Sequence, residues 1–214
     1  MTIQYFGHSF FKIETKNGII ALNPYNEIKS IKPLRFKSDL LLISENSEFY
    51  NNKKAILGEP FILEEPGEIE KNNIFVKGIF NFLKKKEDQE IINIIFRIDV
   101  EEISLGVITD LSEKLIKDVV FEELSSIDIF LMPVNKNSSL EIEKVSSILN
   151  QIEPKIFIPL FYYPLGFEKK QEEIYEKFFK EIKKKGEILE KLSLKKSQIP
   201  QETKIIILKN LANL

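Results

Sequence analysis

The chain begins as short apolar runs set apart by polar turns, and the spacing of its apolar positions changes about half-way along. Segments 2–5, 10–14, 19–22, 40–44, 74–79, 91–98 and 103–108 are apolar throughout or alternate with polar positions. Runs of that length with that period predict strands. Gly7-His8-Ser9 and Lys16-Asn17-Gly18 separate the first three. Asn17-Gly18 predicts a type I′ hairpin turn, because both central positions of such a turn need positive φ. Asn23-Pro24 ends the third strand, and the unbroken run 40–44 predicts a strand buried on both faces.

Past residue 110 helical spacing alternates with short apolar runs. Segment 111–124 carries Leu115, Val119 and Val120, and 128–132 predicts a buried strand. Ser138 with Glu141 has the spacing of a capping box, followed by one helical face of Leu140, Val145, Ile148, Leu149 and Ile152 that Pro154 closes. A strand is predicted at 155–159, then a long helix over 168–185 with Ile174, Tyr175, Phe178, Phe179 and Ile182 toward the core and Gly186 as its C-terminal cap. Segment 205–208 predicts a closing strand. The lysine runs 84–86 and 183–185 read as a solvated loop and a solvated helix end. Neither an internal repeat nor a linker rich in Pro, Gly or Ser divides the chain, so one α/β domain over residues 1–214 is expected, with two sheets packed together and helices outside.

Composition narrows the function more than the fold. The 214 residues are 43% apolar and 30% charged, ordinary for a soluble globular protein. A net charge of −2 provides no basic field for nucleic acid. No apolar run approaches the roughly 18–20 residues that span a bilayer, and no basic-then-apolar leader opens the chain. The absence of cysteine excludes a disulfide framework, a thiolate zinc site and a thiol nucleophile. A soluble, cytoplasmic protein that binds neither nucleic acid nor membrane is expected.

The segment with most chemical content follows the strand 40–44, where an apolar run leads directly into Glu45-Asn46-Ser47-Glu48-Phe49-Tyr50. The opening Tyr5-Phe6-Gly7-His8-Ser9, Asn23-Pro24-Tyr25, Gly58-Glu59-Pro60-Phe61, Pro66-Gly67-Glu68-Ile69-Glu70, Thr109-Asp110-Leu111, Met132-Pro133-Val134 and Ile158-Pro159-Leu160 occur in order along the whole chain. In that order they resemble the metallo-β-lactamase-fold hydrolases, in particular the compact group that includes ascorbate-6-phosphate-lactonase-like proteins. The resemblance implies a four-layer αβ/βα sandwich with both sheets inside, and an active site where zinc is held by Thr/Ser-His-x-His-x-Asp-His after the 40–44 strand and by further residues downstream.

Laid on that pattern, Glu45 and Ser47 take the first two histidine positions, Phe49 the aspartate position and Tyr50 the last histidine position. Leu83 and Phe161 stand at two further histidine positions, Asn23 replaces an aspartate, and Asp110 alone keeps a ligand's identity. His8, the only histidine, matches a family residue beside the metal. Catalysis in the family needs a metal that lowers the pKa of a bound water to about 7, and zinc prefers nitrogen and thiolate donors. The resemblance therefore implies a degenerate site with no catalytic residue, no metal and no cofactor, in a family that would use zinc. Phe49, Leu83 and Phe161, with Tyr50 at the rim, are expected to fill the former metal cavity by packing. Asp110 and Glu45, with Glu48, remain weak candidates for Mg²⁺ or Ca²⁺. Ser9, Ser44 and Ser47 lack a histidine–acid triad, and Tyr162-Tyr163-Pro164 reads as core. The function expected is that of a pseudoenzyme acting by binding a small molecule or a protein, with a homo-oligomer compatible with it. The alternative is a hydrolase with a rebuilt site around Asp110, Glu45 and His8.

Overall fold

The computed structural model describes residues 1–27, 32–47, 50–86, 89–109, 118–135, 142–161, 176, 178–180, 182–184 and 186–213; the side chains of 84–86, 89, 90, 135, 142–144, 161 and 213 are not described. Strands β1 (Thr2–Tyr5), β2 (Phe11–Glu14), β3 (Ile19–Leu22), β4 (Phe36–Lys37), β5 (Leu40–Leu42), β6 (Ile56–Leu57), β7 (Phe61–Leu63) and β8 (Gly67–Lys71) lead into the long pair β9 (Ile74–Lys86) and β10 (Gln89–Val100). After β11 (Ile103–Val107) come α1 (Asp118–Glu123), β12 (Ile129–Asn135), α2 (Ile142–Ile152), β13 (Ile156–Phe161), β14 (Gly186–Leu189), β15 (Lys191–Ser193) and β16 (Lys204–Leu208). Among the described residues no helix is long and apolar enough to cross a membrane.

The strands form a six-stranded sheet, β15-β1-β2-β3-β5-β7, and an eight-stranded sheet, β14-β16-β13-β12-β11-β10-β9-β8, with β4 and β6 as a small ribbon. Period-2 alternation decides which face goes where. In β12, Ile129 and Leu131 point into the layer between the sheets with Leu40, Leu42 and Phe96, whereas Phe130 and Met132 point outward to the helical layer with Val120, Val145 and Leu149. In the other sheet Leu41 and Ala21 face away from that central layer and are covered by Phe6, Phe10, Tyr25, Ile43 and Ile56. Apart from exposed positions such as those on the edge strands β7 and β8, both sheets are thus covered on both faces, as in the four-layer αβ/βα sandwich that the segment order implies. Parallel strands β3, β5 and β7 in one sheet and β11, β12 and β13 in the other bring their C-terminal ends to the rims of the sandwich.

Several local expectations are corrected. The β2–β3 hairpin forms, but not through a type I′ turn at Asn17-Gly18. Thr15 N–H bonds the Gly18 carbonyl at 3.0 Å, so Lys16-Asn17 are the central residues. The Thr15 hydroxyl accepts the Asn17 and Gly18 N–H groups at 3.1 Å each and directs the chain instead. Gly18 itself takes φ +148°, and a Cβ there would lie 2.7 Å from Asp39 Oδ2. Among the described residues, the turns with two consecutive positive-φ non-glycine residues are Asn72-Asn73 (53° and 57°) and Glu101-Glu102 (54° and 62°). The second is unusual for its residue type. The Glu101 carboxylate anchors it by accepting from the Met1 amino group at 2.8 Å and the Lys16 N–H.

Strands 74–79 and 91–98 extend to Ile74–Lys86 and Gln89–Val100, so Lys84–Lys86 continue a backbone ladder instead of forming a loop. A ladder needs backbone groups in register, and the apolar pattern can stop before it does. Gly186 starts β14 and is no helix cap. A Cβ there would sit 2.1 Å from a ring atom of Phe179, so only glycine lets that ring lie against the strand. The 138/141 capping box lies outside the described residues, as does 111–117. Phe178 and Ile182 of the expected long helix are buried in the helix-side core.

Candidate functional site

The strand ends meet in a buried cluster of polar side chains. Asn23 follows β3, Ser44 lies two residues beyond β5, Thr109 two beyond β11, and Ser9 precedes β2; Asn23, Ser44 and Ser9 are fully buried and Thr109 is 2% exposed. The Asn23 carbonyl oxygen accepts the Ser44 N–H at 2.7 Å, and its Nδ2 donates to Ser44 Oγ at 2.7 Å and to Ser9 Oγ at 3.4 Å. Ser44 Oγ is 2.5 Å from Thr109 Oγ1. The Ser44 carbonyl takes the Ile94 N–H at 2.8 Å. Ser44 thereby joins the six-stranded sheet to two strands of the other sheet. Asn23 has φ 50°, a conformation that asparagine tolerates better than most residues.

One step further along the same segment, Glu45 forms an antiparallel bridge with Asn93 of β10. Glu45 is 7% exposed and Asn93 fully buried. The Ser47 N–H closes a tight turn onto the Glu45 carbonyl at 2.8 Å, and the Tyr50 N–H bonds the Ser47 carbonyl at 3.0 Å. Burial, and then the nearby Glu45 carboxylate, push the Tyr50 phenol up to about 12, so it stays an O–H donor at neutral pH.

His8 sits in the β1–β2 loop with φ 52°. Its carbonyl accepts from the Tyr5 hydroxyl at 3.0 Å, and its ring lies 5.4 Å from that of Tyr25. Burial lowers the imidazole pKa, which favours the neutral form. Because the folded value is depressed, the contribution of His8 to stability is complete above the unfolded value near 6.5 and is lost as pH falls through the folded value. His8→Asn keeps the left-handed backbone accessible and removes the titration. The variant is expected to lose less stability than the parent between pH 6.5 and pH 5, measured by urea unfolding at each pH.

The structure brings Asn23 together with Ser9, Ser44 and Thr109, places Glu45 opposite Asn93, and links Ser47 by backbone hydrogen bonds to both Glu45 and Tyr50. Leu83 does not join them as buried filling: it is 40% exposed and pairs across the β9–β10 ladder with Ile92, itself 36% exposed. That corrects the expectation of a cavity filled by Leu83, since a side chain on an extended hairpin arm packs little. Phe49, Glu48, Asp110 and Tyr162-Tyr163-Pro164 lie outside the described residues, and so does the side chain of Phe161. Thr109, Asn81 and Asn93 were not singled out from sequence. The signal for Asn93 was present, a lone asparagine inside Ile91-Ile92-Asn93-Ile94-Ile95-Phe96, where strands disfavour that residue.

A profile of the beta-lactamase superfamily domain matches residues 2–161. The chain belongs to that family. The superfamily's fold also appears in the solved structures it resembles. A candidate Zn-dependent hydrolase of the metallo-β-lactamase superfamily from Thermotoga maritima is 21% identical, with 97% of each chain covered and a TM-score of 0.73. A candidate metal-dependent hydrolase from Parabacteroides distasonis is 15% identical over 97% of this chain and 93% of its own, with a TM-score of 0.60. The metallo-β-lactamase-fold protein YhfI from Bacillus subtilis is 6% identical over 98% and 96%, also at 0.60. No curated protein matches this sequence.

For a superfamily member, the donors at the rim are a poor fit to zinc. At the ligand positions the described side chains supply one carboxylate (Glu45), one hydroxyl (Ser47), one phenol held protonated (Tyr50) and one hydrocarbon (Leu83), with no nitrogen or sulfur. Among the described residues no three His, Cys, Asp or Glu side chains are grouped as a metal would need.

Proposed function

We propose that this protein is a non-catalytic member of its hydrolase family, acting by binding a small molecule or a protein partner in a cytoplasmic setting. The observation that carries the reading is the Asn23–Ser44–Thr109–Ser9 cluster. At the strand ends, uncharged amides and hydroxyls satisfy one another, and their hydrogen-bonding capacity goes into tying the two sheets together. Metal-assisted hydrolysis needs an open coordination position and several anionic or imidazole ligands to activate water, and the described side chains at the ligand positions offer a single carboxylate, Glu45, and no imidazole.

The test is a screen of the purified protein against ester, lactone and phosphodiester substrates, with and without added Zn²⁺, Mn²⁺ or Mg²⁺. No turnover above buffer is expected under any condition. Turnover that rises with metal and is lost on chelation would overturn the reading. Turnover that survives chelation and disappears in Glu45→Gln would favour the rebuilt hydrolase around Asp110, Glu45 and His8.

A further inference from the structure

Beside the cluster that ties the sheets, the structure leaves polar groups without partners. Glu45 and Asn93 are directly opposed in an antiparallel bridge, so their side chains leave the backbone on the same face. Asn93 is fully buried, and its Oδ1 accepts from Asn81 Nδ2 at 2.9 Å. Its Nδ2 is buried with no partner among the described residues, and so is the hydroxyl of Ser47, two residues after Glu45. Buried polar groups are almost always satisfied, and one that is not calls for an unseen water or ligand. Leaving such a group bare costs about 1–3 kcal/mol.

The charges around the spot select the ligand. An anion would face the Glu45 carboxylate in a poorly solvated place, and a cation would face the Asn93 N–H. A hydroxyl suits both, because it offers one donor to the carboxylate and acceptor lone pairs to the Asn93 amide and the Ser47 hydroxyl. We propose that Glu45 and Ser47, opposite Asn93, form a seat for an alcohol group of a neutral polyol, held between the Glu45 carboxylate and the Asn93 amide. The proposal rests on the binding-protein reading above and gives the ligand's chemical class.

The experiment uses the full chain labelled with ¹⁵N. The Asn93 side-chain amide resonance is followed while erythritol, methylammonium chloride or sodium acetate is added as probes of three charge types. Erythritol is expected to shift it saturably, and the two ions are not. Glu45→Gln should weaken erythritol binding about tenfold, the effect of losing a hydrogen bond to a charged group. In Asn93→Asp the reporter becomes the side-chain amide of Asn81, which bonds the residue-93 oxygen in the parent, and the preference should be exchanged, with erythritol lost and methylammonium gained, a reversal that a merely structural role would not produce. No saturable shift with erythritol, a stronger response to either ion, or an unchanged preference in Asn93→Asp would overturn the proposal. The hydrolase screen is separate: failure with erythritol in a protein without turnover sinks only the polyol seat, whereas metal-dependent turnover sinks both.

Discussion

Replacing Asn23 with alanine is expected to lower the unfolding free energy by about 3 kcal/mol, as the sum of two penalties. The buried Ser44 N–H would lose its acceptor, and an orphaned buried group costs about 1–3 kcal/mol. Alanine would also have to hold φ near the 50° that Asn23 adopts, at roughly 1 kcal/mol or more. The Ser44 and Thr109 hydroxyls can still bond each other, which limits the loss. Asn23→Asp keeps the acceptor for Ser44 N–H and the tolerance for this backbone, so it should lose less than the alanine variant. Urea unfolding measures both, with the slope on denaturant expected to stay unchanged. An alanine variant as stable as the parent would mean that the cluster ties nothing together.

The second large effect concerns the layer between the sheets. Phe96 is fully buried there, opposite Gly78 in the β9–β10 ladder, where a Cβ on the glycine would come within 3.5 Å of its ring. Phe96→Ala is expected to cost about 3–5 kcal/mol, the range for a buried phenylalanine cut to alanine. Leu83→Ala, at 40% exposure on the same hairpin, is expected to cost less than about 1 kcal/mol, as surface substitutions usually do. The pair separates two accounts of the family's lost ligand positions. If Leu83→Ala proved as damaging as Phe96→Ala, the site would be filled by packing after all.

The large-scale fold was legible because alternation and burial are linked by geometry. Leu40-Leu41-Leu42 reads as a strand covered on both faces, and all three are fully buried. The turns were less legible. Glu101-Glu102 has no preference for positive φ, yet the two-residue link between β10 and β11 imposes it, and the Glu101 carboxylate compensates through partners distant in sequence. Lys84–Lys86 looked like loop because side-chain pattern, not backbone pairing, is what a sequence displays. The rim was half legible. Asn23 could be seen as a lost charge, but its role as donor and acceptor to Ser44 depends on where β5 ends relative to β3, which only the folded register sets. Thr109 gave little signal of its own beside Asp110, and Ser9 and Ser44 were weighed only as nucleophiles.

The central claim is that hydrogen bonds, and not a metal, fasten the strand ends of this hydrolase-family fold. Its most direct test is elemental analysis of protein produced in zinc-replete medium, followed by thermal unfolding before and after treatment with a strong chelator. A metal bound only by the folded state would raise the Tm by mass action, and removing it would lower the Tm. The expected result is zinc well below one ion per chain and the same Tm with and without chelator. Zinc at one or more ions per chain, with a Tm that falls when it is stripped, would contradict the account.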